Sequence, residues 1–142
     1  MFLGLGLCSP GWLGASLPRL IAAAEGARFE GDALLHLDVR SDNLCFRAET
    51  TYLIDWNHAT VGNPTIDLAF WLPSLAAEGG PTPETILPGE PEIVAWVVGY
   101  FCARAGGPPV PDAPHVRPLQ LAQARTGLPW AARALGLPAP DG

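Results

Sequence analysis

Leu35-His36-Leu37-Asp38-Val39-Arg40-Ser41-Asp42-Asn43-Leu44, followed by Tyr52-Leu53-Ile54-Asp55, is the stretch on which the fold turns. The runs Leu44-Cys45-Phe46 and Thr51-Tyr52-Leu53-Ile54 are apolar and rich in aromatic or β-branched residues, with polar Arg47-Ala48-Glu49-Thr50 between them. That pattern predicts a short β-hairpin. Asp38 and Asn43 precede it in a loop, and Asp55 closes its second strand. An Asp and an Asn so spaced can simply bond their own backbone in a turn. A turn, however, requires neither the hairpin nor the terminal Asp55. Phosphoryl transfer uses all three groups: a carboxylate to orient or accept a hydroxyl proton, and an amide oxygen with a second carboxylate to hold Mg²⁺ against phosphates.

Working outward, Ala33-Leu34-Leu35 reads as a short buried strand that delivers His36 into the loop. Ser16-Leu17-Pro18 reads as the start of a helix over Arg19 to Ala27, because Ser caps free amides and Pro suits the first turn. Downstream, Thr65 to Ala77 is predicted helical and apolar on most of its surface, hence buried, with Pro73 kinking or splitting it. Residues 79–91 read as a loop, Glu92 to Ala105 as a helix, and Val116 to Leu135 as a helix interrupted at Gly127 and Pro129. The expected class is therefore α+β, with helices segregated from a very small sheet.

Three segments together resemble the aminoglycoside phosphotransferase/choline kinase superfamily. Leu35 to Leu44 is similar to its H-G-D-x-x-x-x-N-[IVL] signature. Tyr52-Leu53-Ile54-Asp55-Trp56-Asn57-His58-Ala59 is similar to its [VL]-I-D-[WF]-[ED]-x-A element. Gly62-Asn63-Pro64-Thr65-Ile66-Asp67-Leu68-Ala69 is similar to its G-[DN]-P-x-x-D-[LI]-A element. The resemblance implies a mainly helical C-terminal lobe of a protein-kinase-like fold, one domain over residues 1–142, with the motifs in 33–72 and an acceptor-side helical region over 73–137. It implies Asp38 as the catalytic residue, Asn43 and Asp55 as Mg²⁺ ligands, and His36 and Asp67 as supports of the loop. The implied activity is transfer of the γ-phosphoryl group of ATP to the hydroxyl of a small molecule.

Departures from the pattern carry expectations too. Leu37 replaces the usual Gly, so the local backbone should avoid glycine-only angles. Asn57 stands where an acidic residue is frequent, and Arg40 is expected to pair with Asp42. Trp71 and Trp96 read as packing residues rather than ligand-stacking ones. No Gly-rich phosphate loop, strand Lys or paired Glu precedes His36, so the N-terminal β-lobe is expected to be absent. A tight ATP site is then not expected from this chain alone, and no residue is assigned to cofactor binding.

Composition bounds the alternatives. Apolar residues make up 49% of 142 and charged residues only 15%, against about 25% charged in an average domain. So oily a surface predicts self-association or a companion lobe. The net charge is −6 without a Lys/Arg cluster, which excludes a nucleic-acid surface and favours cationic ligands or metal ions. Cys8, Cys45 and Cys102 form no metal or disulfide spacing, and the apolar start is too short for a membrane span. A cytoplasmic protein is expected. Two other classes remain open: a non-catalytic kinase-fold remnant acting as a binding module, and a metal-dependent hydrolase using His36, Asp38 and Asp55.

Overall fold

A computed structural model describes residues 2–141. It is mixed helix and small antiparallel sheets, an α+β chain in which helix predominates. In order come a 3-10 turn (Phe2–Leu5), α1 (Pro10–Glu25), β1 (Ala33–Leu35), a 3-10 turn (Ser41–Asn43), β2 (Leu44–Arg47), β3 (Thr50–Leu53) and β4 (Thr60–Gly62). Four helices follow: α2 (Thr65–Ala77), α3 (Pro83–Ile86), α4 (Pro91–Ala105) and α5 (Val116–Ala134).

The predicted hairpin forms, with Leu44 opposite Leu53 and Arg47 opposite Thr50. Its turn is Ala48-Glu49, and Ala48 adopts φ 51°, the left-handed geometry tight hairpins need at a central residue. A second sheet was not foreseen. β1 pairs antiparallel with β4, Ala33 opposite Gly62 and Leu35 opposite Thr60. Each sheet has two strands, and β1 is only partly buried: Leu35 is enclosed while Leu34 is exposed.

Helix α1 begins at Pro10, well before the expected start. Ser9 caps it by accepting the Trp12 amide on Oγ at 3.0 Å, and Pro10 fills the first turn. The Ser/Pro signature was the right one, but it operates at Ser9-Pro10. Ser16 and Pro18 lie inside the helix, Ser16 buried. The Ser9 amide and hydroxyl in turn donate to Asp141, and the Trp12 indole donates to the Pro138 carbonyl at 2.9 Å. These bonds hold Asp141 below the usual carboxylate range.

The core sits where α4 packs against α1, α2 and α5. Ile93, Val94, Val97 and Val98 of α4 meet Leu72 of α2 and Leu128 and Trp130 of α5. Burial of this kind stabilises by about 1.5–3 kcal/mol per large side chain. It also overrides local helix breakers. α2 continues through Pro73 rather than splitting there, and α5 runs unbroken through Gly127 and Pro129, contrary to the interruption expected in it. The loop 79–91 contains the single helical turn α3, whose Glu84 is bridged by Arg133 of α5 at 2.7 Å. Arg133 is also the main reason the Glu84 carboxyl lies below its ordinary value.

At Gly127, α5 lies close against α4 and α2. A Cβ there would lie 3.0 Å from Val98 Cγ2 and 3.8 Å from Pro73 Cγ. Gly127→Ala should therefore leave stability within about 1 kcal/mol of the parent, since the helix-propensity gain offsets the tight contact. Gly127→Leu should cost about 3 kcal/mol by overpacking. Urea unfolding of the two variants checks this; equal midpoints would refute the crossing.

Of the three cysteines, Cys8 and Cys102 are buried and Cys45 is exposed, all free. Burial pushes the Cys102 thiol up to about 12, so it is a packing residue without thiolate chemistry.

Candidate functional site

The loop between β1 and β2 is built around His36, which is fully enclosed. Its Nε2 lies 2.7 Å from the Ile54 carbonyl, and its Nδ1 accepts the Asp38 amide at 3.2 Å. One neutral tautomer, protonated on Nε2, satisfies both contacts. The Trp56 ring packs edge-on against the imidazole, centroids 4.7 Å apart. With both nitrogens engaged by backbone, His36 is not presented to a metal ion.

Asp67, in the first turn of α2, reaches back across the loop. Its Oδ2 accepts the His36 amide and its Oδ1 the Leu37 amide, each at 2.7 Å. Just before the helix, Asn63 Oδ1 accepts the Thr65 amide at 3.0 Å and the Asn63 carbonyl accepts the Ile66 amide at 3.1 Å. The carboxylate is therefore carried on a fixed helix end, and the loop backbone is clamped to it.

That clamp acts on a strained residue. Leu37 takes φ 60°, so the expectation that a side chain at this position would keep the backbone out of the glycine-favoured region is overturned. A left-handed conformation costs a non-glycine residue about 1–2 kcal/mol. The two charge-assisted bonds from Asp67, together with packing of Leu37 on the core, outweigh it.

Asp38 and Asn43 are brought together. Asn43 is buried, and its Nδ2 donates to the Asp38 carbonyl at 2.8 Å and to Asp38 Oδ2 at 3.2 Å. Its Oδ1 has no protein donor among the described residues. Asn43's own carbonyl accepts the Ile54 amide at 2.9 Å, which ties the loop to the end of β3 immediately before Asp55. Asp55 is exposed, has φ 63°, and receives a short hydrogen bond from Asn57 Nδ2 on Oδ1. The residue standing where an acidic one is frequent thus serves as a donor to Asp55.

Arg40 pairs with Asp42 through Nε and Nη2, at 2.9 and 2.8 Å, and its Nη1 also stands 3.4 Å from Asp38 Oδ1. The hydrogen bond from Arg40 is the leading reason the Asp42 carboxyl lies below its ordinary value. The link to Asp38 was missed in the sequence, where only Asp42 was considered as a partner.

Hard oxygen donors fit Mg²⁺, which takes one or two carboxylates and fills the rest of its octahedron with phosphates or water. Asn43 Oδ1 and the Asp55 carboxylate meet that description, in loops that a backbone hydrogen bond joins. Among the described residues no group of three or more His, Cys, Asp or Glu side chains forms a metal cage. Mg²⁺ sites that rely on substrate phosphates need none.

Behind Asp38 opens a cavity of about 600 Å³. Leu37, Asp38, Val39 and Arg40 form one end, and Phe29, Phe70, Trp96 and Tyr100 form an aromatic wall. Trp96 stacks on Tyr100 and meets Phe29 edge-on, at 6.2 and 4.9 Å between centroids. Trp96 and Tyr100 share one face of α4, so their spacing was visible in the sequence. Phe29 and Phe70 come from distant segments, and no local pattern could have joined them to it.

With this geometry in place, the comparisons narrow the class. Residues 10–73 match the family model described as the phosphotransferase enzyme family. The match runs from the first residue of α1 into α2 and includes the whole loop, its hairpin and Asp67. It is consistent with an aminoglycoside phosphotransferase-like family. Neither a curated protein nor a solved structure matches the chain. Among the described residues, no helix is long and apolar enough to cross a membrane.

Proposed function

We propose that the chain is the catalytic-loop lobe of a kinase-like fold that transfers the γ-phosphoryl group of ATP to the hydroxyl of a small molecule. The observation that carries this is the arrangement of Asp38, Asn43 and Asp55. Asn43 is bonded to the Asp38 side chain on one side and joined to the residue before Asp55 on the other. Asp38 orients or accepts the hydroxyl proton, at the mouth of a cavity able to hold the rest of the acceptor. Asn43 and Asp55 would hold Mg²⁺, which when bound neutralises charge on the transferring phosphates. His36 and Asp67 position the loop without touching the reacting atoms. Engagement of both His36 nitrogens speaks against the hydrolase alternative, which would need that imidazole as a ligand.

Mn²⁺, a paramagnetic substitute for Mg²⁺, gives the test. With ATP present, Mn²⁺ held by the protein should raise the water-proton relaxation enhancement above that of Mn²⁺–ATP alone, and Asp55→Asn should weaken that binding roughly tenfold or more, as loss of even outer-sphere support does. Asp38→Asn should leave that binding in place and, with an N-terminal lobe supplied, lower turnover by about 10²–10⁴. Turnover unchanged by Asp38→Asn would remove its assignment. Absence of any Mn²⁺–ATP binding would favour the non-catalytic remnant.

We further propose that the apolar face around the sheets is covered by a companion lobe or a second copy. Phe46, Leu34 and Val61 are 74%, 65% and 64% exposed, an unusual surface for free water contact. Light scattering should show a mass that rises with concentration. A monodisperse monomer across the micromolar range would count against it.

A further inference from the structure

We propose that the cavity beside Asp38 admits uncharged hydroxyl compounds with an aromatic or similarly apolar body, and disfavours polycationic ones. This rests on the proposed role of Asp38 at the acceptor hydroxyl, and it refines the expectation of cationic ligands raised by the net charge of −6. Apart from Asp38, the acidic residues that produce that charge are not among those lining the cavity. The cavity is lined by one carboxylate, Asp38, and one guanidinium, Arg40, and these stand 3.4 Å apart. Among the described residues, no further Asp or Glu lines it. An amine-rich ligand would leave water for a space in which this one carboxylate, already within reach of Arg40, is the counter-charge for several ammonium groups, and unpaired buried charge is costly.

The aromatic wall gives a cation no alternative. Tyr100 has Trp96 stacked on it, and the Arg104 guanidinium lies 5.3 Å from its ring centroid. Trp96 is engaged by Tyr100, Phe29 and Phe70 together. These rings are packed on one another as a continuous apolar surface rather than as an open cage for an ammonium group.

Beyond Asp38, Arg40 and His58, the lining offers neutral amide side chains that are already oriented. Gln123 is buried, with its amide nitrogen donating to Ser74 Oγ at 2.7 Å. Gln120 has its Oε1 taken by Arg117 Nη1 at 2.8 Å, so its amide nitrogen remains as a donor. Fixed amides of this kind select hydroxyl or carbonyl groups on an otherwise apolar ligand.

The test is a ligand-observed NMR titration of the full chain with phenyl β-glucoside and, separately, with the polycationic aminosugar kanamycin. Ionic strength of about 0.15 M suppresses non-specific attraction to the acidic surface. Phenyl β-glucoside should bind saturably, and Trp96→Ala and Gln120→Leu should each weaken it about tenfold, equivalent to about 1.4 kcal/mol. Kanamycin should show no saturable binding at the same concentrations. Saturable kanamycin binding, or none by the glucoside, overturns the proposal. So does glucoside binding unaltered in Gln120→Leu, with a melting curve of that variant run to check that the fold is intact. Neither titration needs ATP. Failure of phosphoryl transfer with this discrimination intact would therefore fall on the role given to Asp38, not on the preference of the cavity.

Discussion

Asp67→Ala should lower the melting temperature by roughly 10 °C and release the loop that carries Asp38. The carboxylate accepts two backbone amides at 2.7 Å, from His36 and Leu37. Hydrogen bonds to a charged group contribute about 1.5–3 kcal/mol each, and their loss leaves donors without partners. It also withdraws the support that holds Leu37 at φ 60°. A net loss of about 3 kcal/mol is expected, and a domain of this size then shifts by 2–4 °C for each. Amide hydrogen exchange gives the sharper readout. Protection at His36 and Leu37 should fall well before that of the α4 core. Unchanged protection at both amides would show that Asp67 does not hold the loop.

Gly31→Ala should be nearly as damaging, although residue 31 lies outside every element. A Cβ there would fall 2.5 Å from the Gly62 carbonyl oxygen and 2.8 Å from the Asn63 amide nitrogen. Both are backbone atoms, so no side-chain rotation relieves the overlap. β4 must move away from β1, and Asn63 with it. That residue is bonded to the Phe29 carbonyl through its amide and to the Arg28 carbonyl through its side chain, and its Oδ1 accepts the Thr65 amide at the start of α2. Overpacking of this kind costs about 3 kcal/mol. Gly89→Ala is the control, because nothing lies within 4 Å of a Cβ at that position. Thermal melts should separate the two variants by roughly 10 °C; coincident curves would mean the β1–β4 contact yields freely.

What the sequence disclosed was local. The hairpin could be read because alternating apolar runs and a polar turn lie within ten residues or so, where spacing alone determines pairing. The offset of Asp38 from Asn43, and the position of Asp55 after a strand, were legible for the same reason. β1–β4 pairing was not, since Ala33 meets Gly62 only after the whole loop and hairpin have folded between them. The two breakers in α5 misled because Trp130 and Ala131 are buried beside them, and tertiary packing there prevails over intrinsic propensity. The start of α1 was lost to a competing Ser/Pro pair. The cavity was the least visible feature, its wall assembled from α2, α4, α5 and the segment before β1.

Leu37 and Asp55 both hold left-handed backbone angles, one on each side of the groups proposed to react. When the chain folds, Asp67 holds the loop at Leu37, and the Ile54–Asn43 hydrogen bond ties down the backbone next to Asp55. An arriving ligand would therefore meet groups that have already given up their freedom. The ordering entropy that often weakens binding to loops would be small here. Affinity should then depend on what the ligand itself must surrender, making rigid acceptors better than flexible ones of equal size.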